Sequence, residues 1–437
     1  MKKFHILLMK EIKDLFTTKT ALIFLILSSW LTGYSFLTAV DLYSEQSQSA
    51  VGDLLYASGF EPAPGIFTPT FGGLFVLFSI FLPFVVITLI TLEKERGTLT
   101  LLAQLPYTFG EIVLAKALAS ALFVLTSVSM IVPCAIAWNL YGGHIPTGEL
   151  STLFLGYTLL GIFIVSISFF AAALFNGFSA AAICAVFLIS SSWIIDFGAS
   201  INRSPLLSFA SDWTATTNLK YFENGIISFN AIFLFLSVTL LLFLISHTLL
   251  RFDIKSKWKI ILSSLLFFII VIYAASFFTF NIDVTESQRN SFSPEIVQSL
   301  RKVPKFEIDV YLTPGDSRFR DYKKTFIDKL FLLRNDIKIK MMGGCSLSKN
   351  YGLFVYKIGN RSLQTYSNSE EEIFPLIFKL AGLKRADNTA APQHYCGYPL
   401  VLKTSLLPLK IIYFLLIPLI LLATYLFNAK LTPRKSI

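Results

Sequence analysis

Charge is what this sequence is short of. Asp, Glu, Lys and Arg make up 15% of its 437 residues, where soluble domains carry about 25%. Hydrophobic residues reach 54%, Phe alone accounts for 43 positions, and several apolar runs are as long as the ~20 residues that cross a bilayer as a helix. The composition excludes an ordinary soluble domain and reads as a polytopic α-helical membrane protein. Chemistry-bearing motifs are missing as well. There is no GxxxxGK[ST] phosphate loop, so this chain does not bind ATP in that way, and there is no HExxH or GxSxG. The four histidines, His5, His144, His247 and His394, are scattered. His394 with Cys345 and Cys396 offers three ligands where a structural zinc takes four, so no metal and no cofactor is expected on this chain. The net charge of +10 does not point to nucleic acid, because in membrane proteins basic residues retain cytoplasmic loops.

A second absence orients the chain. No Lys or Arg occurs between Lys19 and Lys94, while the intervening loop carries Asp41, Glu45, Asp53 and Glu61. The N-terminus, with Lys2, Lys3, Lys10, Lys13 and Lys19, is therefore cytoplasmic and that loop is outside. Eight spans are predicted, at about 20–40, 70–92, 112–138, 150–175, 178–199, 228–250, 258–280 and 409–427. With eight spans the basic loops at Lys94–Lys116 and Arg251–Lys259 and the tail at 428–437 all fall inside. Residues 281–408 then fall outside; long domains translocate regardless of charge. The first apolar run has span length and no small-residue cleavage pattern, so it is not a cleavable signal. Asp196 falls near the outer end of span five and reads as an interfacial residue.

Two cytoplasmic segments carry the functional signal. In residues 1–19, Phe4, Leu7, Leu8, Glu11, Ile12, Leu15 and Phe16 recur at helical spacing, with lysines on the remaining surface. This is an amphipathic helix on the membrane surface, or else an extension of span one. The stretch EKERGTLTLLAQLPYTFGEIVLAK, Glu93 to Lys116, interrupts two spans. Glu93, Glu95 and Arg96 put charge at the membrane exit, Gly97 loosens the turn, and Thr98 can cap a new helix. Leu99, Leu101, Leu102 and Leu105 supply an apolar surface, and Pro106 ends it. Helix restarts near Glu111.

This stretch resembles the signature of ABC-2 type permeases, E(R)xxGTLxxLLxxP running on into xxxEIVLGK. Glu95, Arg96, Gly97, Thr98, Leu99, Leu102, Pro106, Glu111, Ile112, Val113 and Lys116 match it, with Ala115 in place of the commoner Gly. LLMKEIKDLF resembles the family's interfacial helix, with Glu11 at its acidic position. LKYFENGIISF, Leu219 to Phe229, resembles the loop before the sixth span. The resemblance covers residues 1–250 and implies a six-span permease core at 20–250. It implies that the loop docks a cytoplasmic ATPase, which binds ATP-Mg, and that a second permease copy completes a homodimer or heterodimer. Glu11, Glu93, Glu95, Arg96, Gly97, Thr98, Leu99, Leu102, Pro106 and Glu111 would couple to that ATPase.

Between spans seven and eight the pattern changes. SFSPEIVQSL starts a helix that Ser293 can cap, and KFEIDVYL alternates as a strand. Phe319 to Leu333 trace a helix face, and IKIKM reads as a strand. Tyr351 to Ser367 read as a hairpin turning at Gly359-Asn360. SNSEEEIFPLIFKLAGL is a helix with Ser369 and Glu372 spaced as a capping box and with Pro375 kinking it. This small α/β domain, 281–408, resembles the auxiliary extracytoplasmic domain of gliding-motility-associated ABC systems, here fused to the permease. Cys345 and Cys396 both fall in it, where an oxidising compartment lets a disulfide persist; Cys134 and Cys184 lie in spans as apolar fillers.

The expected function is thus a permease subunit in a bacterial inner membrane. It is driven by a separate ATPase and exports a substrate or acts on an envelope protein or lipid. The alternatives are transmission of motion to the outer domain without solute transport, or a secondary transporter. The last would call for midplane charges and inverted repeats.

Overall fold

The computed structural model describes residues 2–50, 57, 59–98, 101, 107–201, 205–251, 257–275, 280–286, 288–313, 316–334, 336–342, 350–383, 397–402 and 404–431. They form two compact units, Met1–Phe278 with Cys396–Ile437, and Thr279–Tyr395.

The first unit is a helix bundle. It opens with α1 (Lys2–Phe16), followed by α2 (Lys19–Ala50), α3 (Ala63–Glu95), α4 (Phe109–Leu140), α5 (Thr147–Leu174) and α6 (Phe178–Ile201). Two short helices come next, α7 (Pro205–Asp212) and α8 (Ala215–Glu223). The three-residue strand β1 (Ile226–Ser228), α9 (Phe229–Leu250) and α10 (Lys257–Ala275) complete this stretch. Among the described residues seven helices are long and apolar enough to cross a membrane: α2, α3, α4, α5, α6, α9 and the final helix, over Leu407–Phe427. The chain is thus a mostly helical, polytopic membrane protein. α10 occupies the place of the expected seventh span; its described part runs to Ala275, and residues 276–279 of the predicted span lie outside the described residues.

α1 is a separate helix and not an extension of α2. The Thr17 amide closes on Lys13 at 3.0 Å, the Thr18 amide on Leu15 at 3.1 Å, and the Thr18 hydroxyl then accepts from the Ala21 amide at 3.2 Å. A Thr at this junction satisfies a free N–H of the new helix. α3 and α4 are interrupted for a different reason. Pro83 and Pro133 have no N–H to give, and each follows a local break, at Phe81 in α3 and over the tight turn Ser129–Ile131 in α4.

The last helix of this unit is tied to α2. The Ser29 hydroxyl donates to the Tyr413 carbonyl at 2.8 Å, and the Tyr413 hydroxyl donates to the Met130 carbonyl at 3.0 Å. Gly33 makes the approach possible: a Cβ there would lie 2.5 Å from Tyr413 Cβ. α2 runs to Ala50, well past the predicted end at 40, because its last turns have something to hold. The Tyr43 hydroxyl donates to the Tyr398 carbonyl, and the Ser44 and Ser47 hydroxyls accept from the Leu402 and Leu400 amides. The Tyr398 amide also bonds the Phe60 carbonyl at 2.8 Å. Asp196, in the last turns of α6, is paired with Lys220 at 2.7 Å and with the Thr217 hydroxyl at 3.0 Å.

The second unit carries the short strand β2 (Asn281–Asp283), α11 (Pro294–Lys302), β3 (Glu307–Val310), the helical run α12 (Ser317–Leu333, with a wide turn over Lys323–Ile327), β4 (Lys338–Met341), β5 (Phe354–Ile358), β6 (Arg361–Thr365) and α13 (Glu370–Leu380). The sheet order is β4-β3-β5-β6, with β4 parallel to β3 and the other pairs antiparallel. β5 and β6 turn at Gly359-Asn360, since Ile358 pairs with Arg361. Ile308, Val310, Phe354 and Tyr356 face Tyr322, Phe326, Leu330, Ile373 and Ile377 in one apolar core. Helix starts differ from expectation. Ser293 and Ser369 sit at the N-cap positions of α11 and α13, but neither side chain makes a capping bond. Backbone bonds from Val297 to Ser293 and from Ile373 to Ser369 close those first turns.

Two predictions follow from these contacts. Gly33→Ala overpacks the α2 contact with Tyr413 and should cost roughly 1–3 kcal/mol; an unchanged Tm in detergent would contradict the close approach. In the second unit, two parallel bonds from Arg334 at 2.6 and 2.7 Å hold the Asp336 carboxyl below its ordinary value. A lowered folded pKa stabilises above the unfolded value of about 3.9 and is lost as pH falls through the folded value. Asp336→Asn should therefore lower the Tm of the intact protein near neutrality. The difference from wild type should vanish in acid, and an equal difference at both pH values would refute the assignment.

Candidate functional site: a charged knot where α1, α3 and α4 meet

α3 leaves the bundle through three consecutive charged residues, Glu93, Lys94 and Glu95. On an α-helix successive side chains fan out by about 100°, so these three cannot share a target. Each reaches a different element.

Glu93 Oε1 accepts from Lys116 Nζ, on α4, at 2.9 Å. Lys116 also donates to Glu11 Oε2, on α1, at 2.7 Å. Lys116 is 2% exposed and Glu11 1%. Lys116 lies on the packed face of α4, with Ile112, Val113, Ala115, Ala119 and Ser120. An ammonium in such a place must be paired, and its partners must have carboxylate oxygens within reach. Lys10 extends the network on the exposed side, 3.0 Å from Glu11 Oε1, 3.3 Å from Asp14 and 3.9 Å from Glu93. Burial pulls the Lys10 ammonium down, but its bond to Glu11 and the fields of Glu11, Asp14 and Glu93 outweigh that and hold it above its ordinary value. Glu93 Oε2 is buried with no hydrogen-bond partner among the described residues. Leu7 of α1 packs on Ile112 and Ala115 of α4 beside the ion pair.

Lys94 donates to the carbonyls of Ala172, Ala173 and Phe175 at 2.8, 3.3 and 2.9 Å. These are the free carbonyls at the end of α5, where a cation is favoured by the helix dipole. Glu95 Oε1 accepts from the Phe178 amide at the start of α6 at 3.4 Å. The end of α3 thus grips α4 and α1, the end of α5 and the start of α6.

The predicted site residues fall out as follows. Glu11 and Glu93 converge on Lys116. Glu95 and Arg96 are exposed, and Arg96 is the last capped position of α3. Gly97 has φ +69°, the left-handed conformation that ends helices and suits glycine. The Thr98 hydroxyl donates backward to the Glu93 carbonyl at 3.3 Å. Leu99, Leu102 and Pro106 lie outside the described residues, as do Cys345 and Cys396. Glu111 does not start its helix alone: Thr108 is the N-cap, its hydroxyl accepts from the Glu111 amide, and Glu111 accepts from the Thr108 amide at 2.7 Å. Sequence reasoning passed over this T-x-x-E capping box. Lys94 was read only as a marker of orientation, and Lys116 as that and as a position of the signature, neither as a partner for charge. The signal for Lys116 was present, a lone lysine among the buried-face positions of an apolar helix. Among the described residues no group of three His, Cys, Asp or Glu could hold a metal.

Lys116→Met leaves two carboxylates facing an apolar partner. Breaking a buried pair on one side costs about 3–5 kcal/mol. The double variant Lys116→Met/Glu11→Leu removes both charges and should recover part of that loss. Thermal unfolding of the wild type, Lys116→Met, Glu11→Leu and the double variant measures this, and strictly additive losses would rule out a direct pair.

Residues 5–200 match the family model of the ABC-2 family transporter protein. No curated protein matches the chain.

Proposed function

We propose that this chain is the permease subunit of an ABC transporter, driven by a separate cytoplasmic ATPase that binds and hydrolyses ATP-Mg. The observation that carries the reading is the charged knot within the ABC-2 match. A load applied to the chain between Gly97 and Thr108 arrives at one place, where α3 and α4 meet α1, α5 and α6 through the side chains of Glu93, Lys94, Glu95 and Lys116. Exposed Glu95 and Arg96 lie at the start of that stretch and would meet the ATPase, with Leu99, Leu102 and Pro106 following.

In this reading the membrane is a bacterial inner membrane, both termini are cytoplasmic, residues 281–408 are extracytoplasmic with the second unit, Thr279–Tyr395, as the auxiliary-like domain, and Cys345 pairs with Cys396. Residues 20–250 form the six-span core, 258–280 and 409–427 the added spans. A second permease copy completes the transporter, whose cargo leaves the cell. A mechanical reading has its own support. The strap at 397–402, which resumes the bundle after the second unit, is hydrogen-bonded to the outer turns of α2. Motion of α2 would be delivered directly to the chain leading to that unit, where it could work on an envelope protein or lipid.

The test is co-purification of the ATPase with the full-length protein. Glu95→Ala and Gly97→Pro should leave the protein inserted and lower ATPase stimulation, by a few kcal/mol of coupling if the contact is buried and little at a rim. Wild-type stimulation in both variants would refute the loop as the coupling element. For orientation, Ser362→Cys should label from outside in intact cells; labelling only in inverted vesicles would overturn the eight-span arrangement.

A further inference from the structure

α1 has three faces. One packs inward on α4 through Leu7, Glu11 and Leu15. The second carries Lys3, Lys10 and Lys13, all exposed. Between and beside them stand Ile6, 64% exposed, and Met9, 54% exposed. Of the helix's two acids, Glu11 is buried between Lys116 and Lys10 and Asp14 pairs with Lys10, so among the described residues Lys3 and Lys13 are left without an ion pair. A helix with exposed apolar side chains flanked by unbalanced lysines matches a surface that is apolar below and anionic at its edge.

We propose that α1 is a binding surface for anionic phospholipid, with Lys3, Lys10 and Lys13 on the headgroup phosphates and Met9 and Ile6 at the acyl boundary. An acidic protein surface would satisfy the lysines but not the two exposed apolar side chains among them, so the lipid is the better fit. The consequence is regulatory. Lys10 is shared: its other partners are Glu11 and Asp14, with Glu93 at the edge of the network. A phosphate on Lys10 competes for the cation that borders the Glu11–Lys116–Glu93 knot. The charge of the membrane thereby reaches the residues at which the proposed coupling load arrives. The inference rests on the proposed membrane orientation, but not on the presence of an ATPase.

The experiment is native mass spectrometry of the full-length protein extracted from bilayers mixing phosphatidylcholine and phosphatidylglycerol. A lysine at an anionic surface is worth about fivefold in affinity. Wild type should retain phosphatidylglycerol in preference, and Lys3→Glu/Lys13→Glu should lower that preference more than tenfold. Lys3→Gln/Lys13→Gln, which removes charge without adding repulsion, should lower it less. Lys302→Glu/Lys305→Glu makes the same net change on the second unit and should leave the preference intact. An unchanged preference in the α1 variants, or an equal loss in the Lys302/Lys305 variant, would overturn the proposal. So would α1 variants that keep the lipid preference yet release the ATPase, since the lysines would then serve a protein surface. If no ATPase co-purifies with wild type, the transporter reading falls while the lipid ratio still decides this one.

Discussion

A lysine held inside an apolar helix face between two carboxylates is the constraint on which the joining of α1, α3 and α4 depends. Lys116 cannot be buried in α4 as a bare ammonium; the desolvation penalty is several kcal/mol. Its partners therefore have to arrive from outside α4, and they do so from two directions, Glu11 from α1 and Glu93 from the end of α3. Apolar contact also holds α1: Leu7 packs on Ile112 and Ala115, Leu15 joins the main core, and Phe16 meets Phe123 of α4 at 5.4 Å between ring centroids. The ion pair adds a fixed register between α1, α4 and the end of α3. Once Glu93 is fixed on Lys116, helix periodicity dictates the directions of Lys94 and Glu95, and the grip on α5 and α6 follows.

The far end of α2 is held by neutral chemistry instead. Hydroxyls of Tyr43, Ser44 and Ser47 on α2 meet backbone groups of the strap at 398–402, and Ser29 meets Tyr413. In a low-dielectric surrounding such bonds are specific without the cost of burying charge. α2 is thus connected at its N-terminal end through the Thr17-Thr18 turn to α1 and at its C-terminal end to the strap. The proposed path of force, from a motor through the knot to the strap, runs along a helix that is tied at both ends.

Much of this was legible from residues. The apolar runs located the long helices, because twenty consecutive apolar side chains have few alternatives to a span. The alternation in KFEIDVYL located β3, and Gly359-Asn360 located the β5–β6 turn. Three things were not legible. The length of α2 depends on a partner more than three hundred residues away, which no periodicity reveals. The breaks in α3 and α4 are set by Pro83 and Pro133, readable in principle, yet masked by the surrounding hydrophobicity. The roles of Lys94 and Lys116 were hidden because a basic residue near a span end serves topology as well as pairing, and only the packed face of α4 separates the two. Ser369 and Glu372 show the opposite error: correct spacing for a capping box, with backbone bonds closing the turn instead.

The central claim is that α1 and the inner ends of α3 to α6 move as one body when a partner ATPase cycles. Pulsed electron paramagnetic resonance tests it most directly, with spin labels at His5 on α1 and Leu122 on α4 in the reconstituted complex. The account predicts that the His5–Leu122 distance within one copy stays fixed on addition of ATP, while the Leu122–Leu122 distance between copies changes. A His5–Leu122 distance that shifts with ATP, or an inter-copy distance that does not, would contradict it.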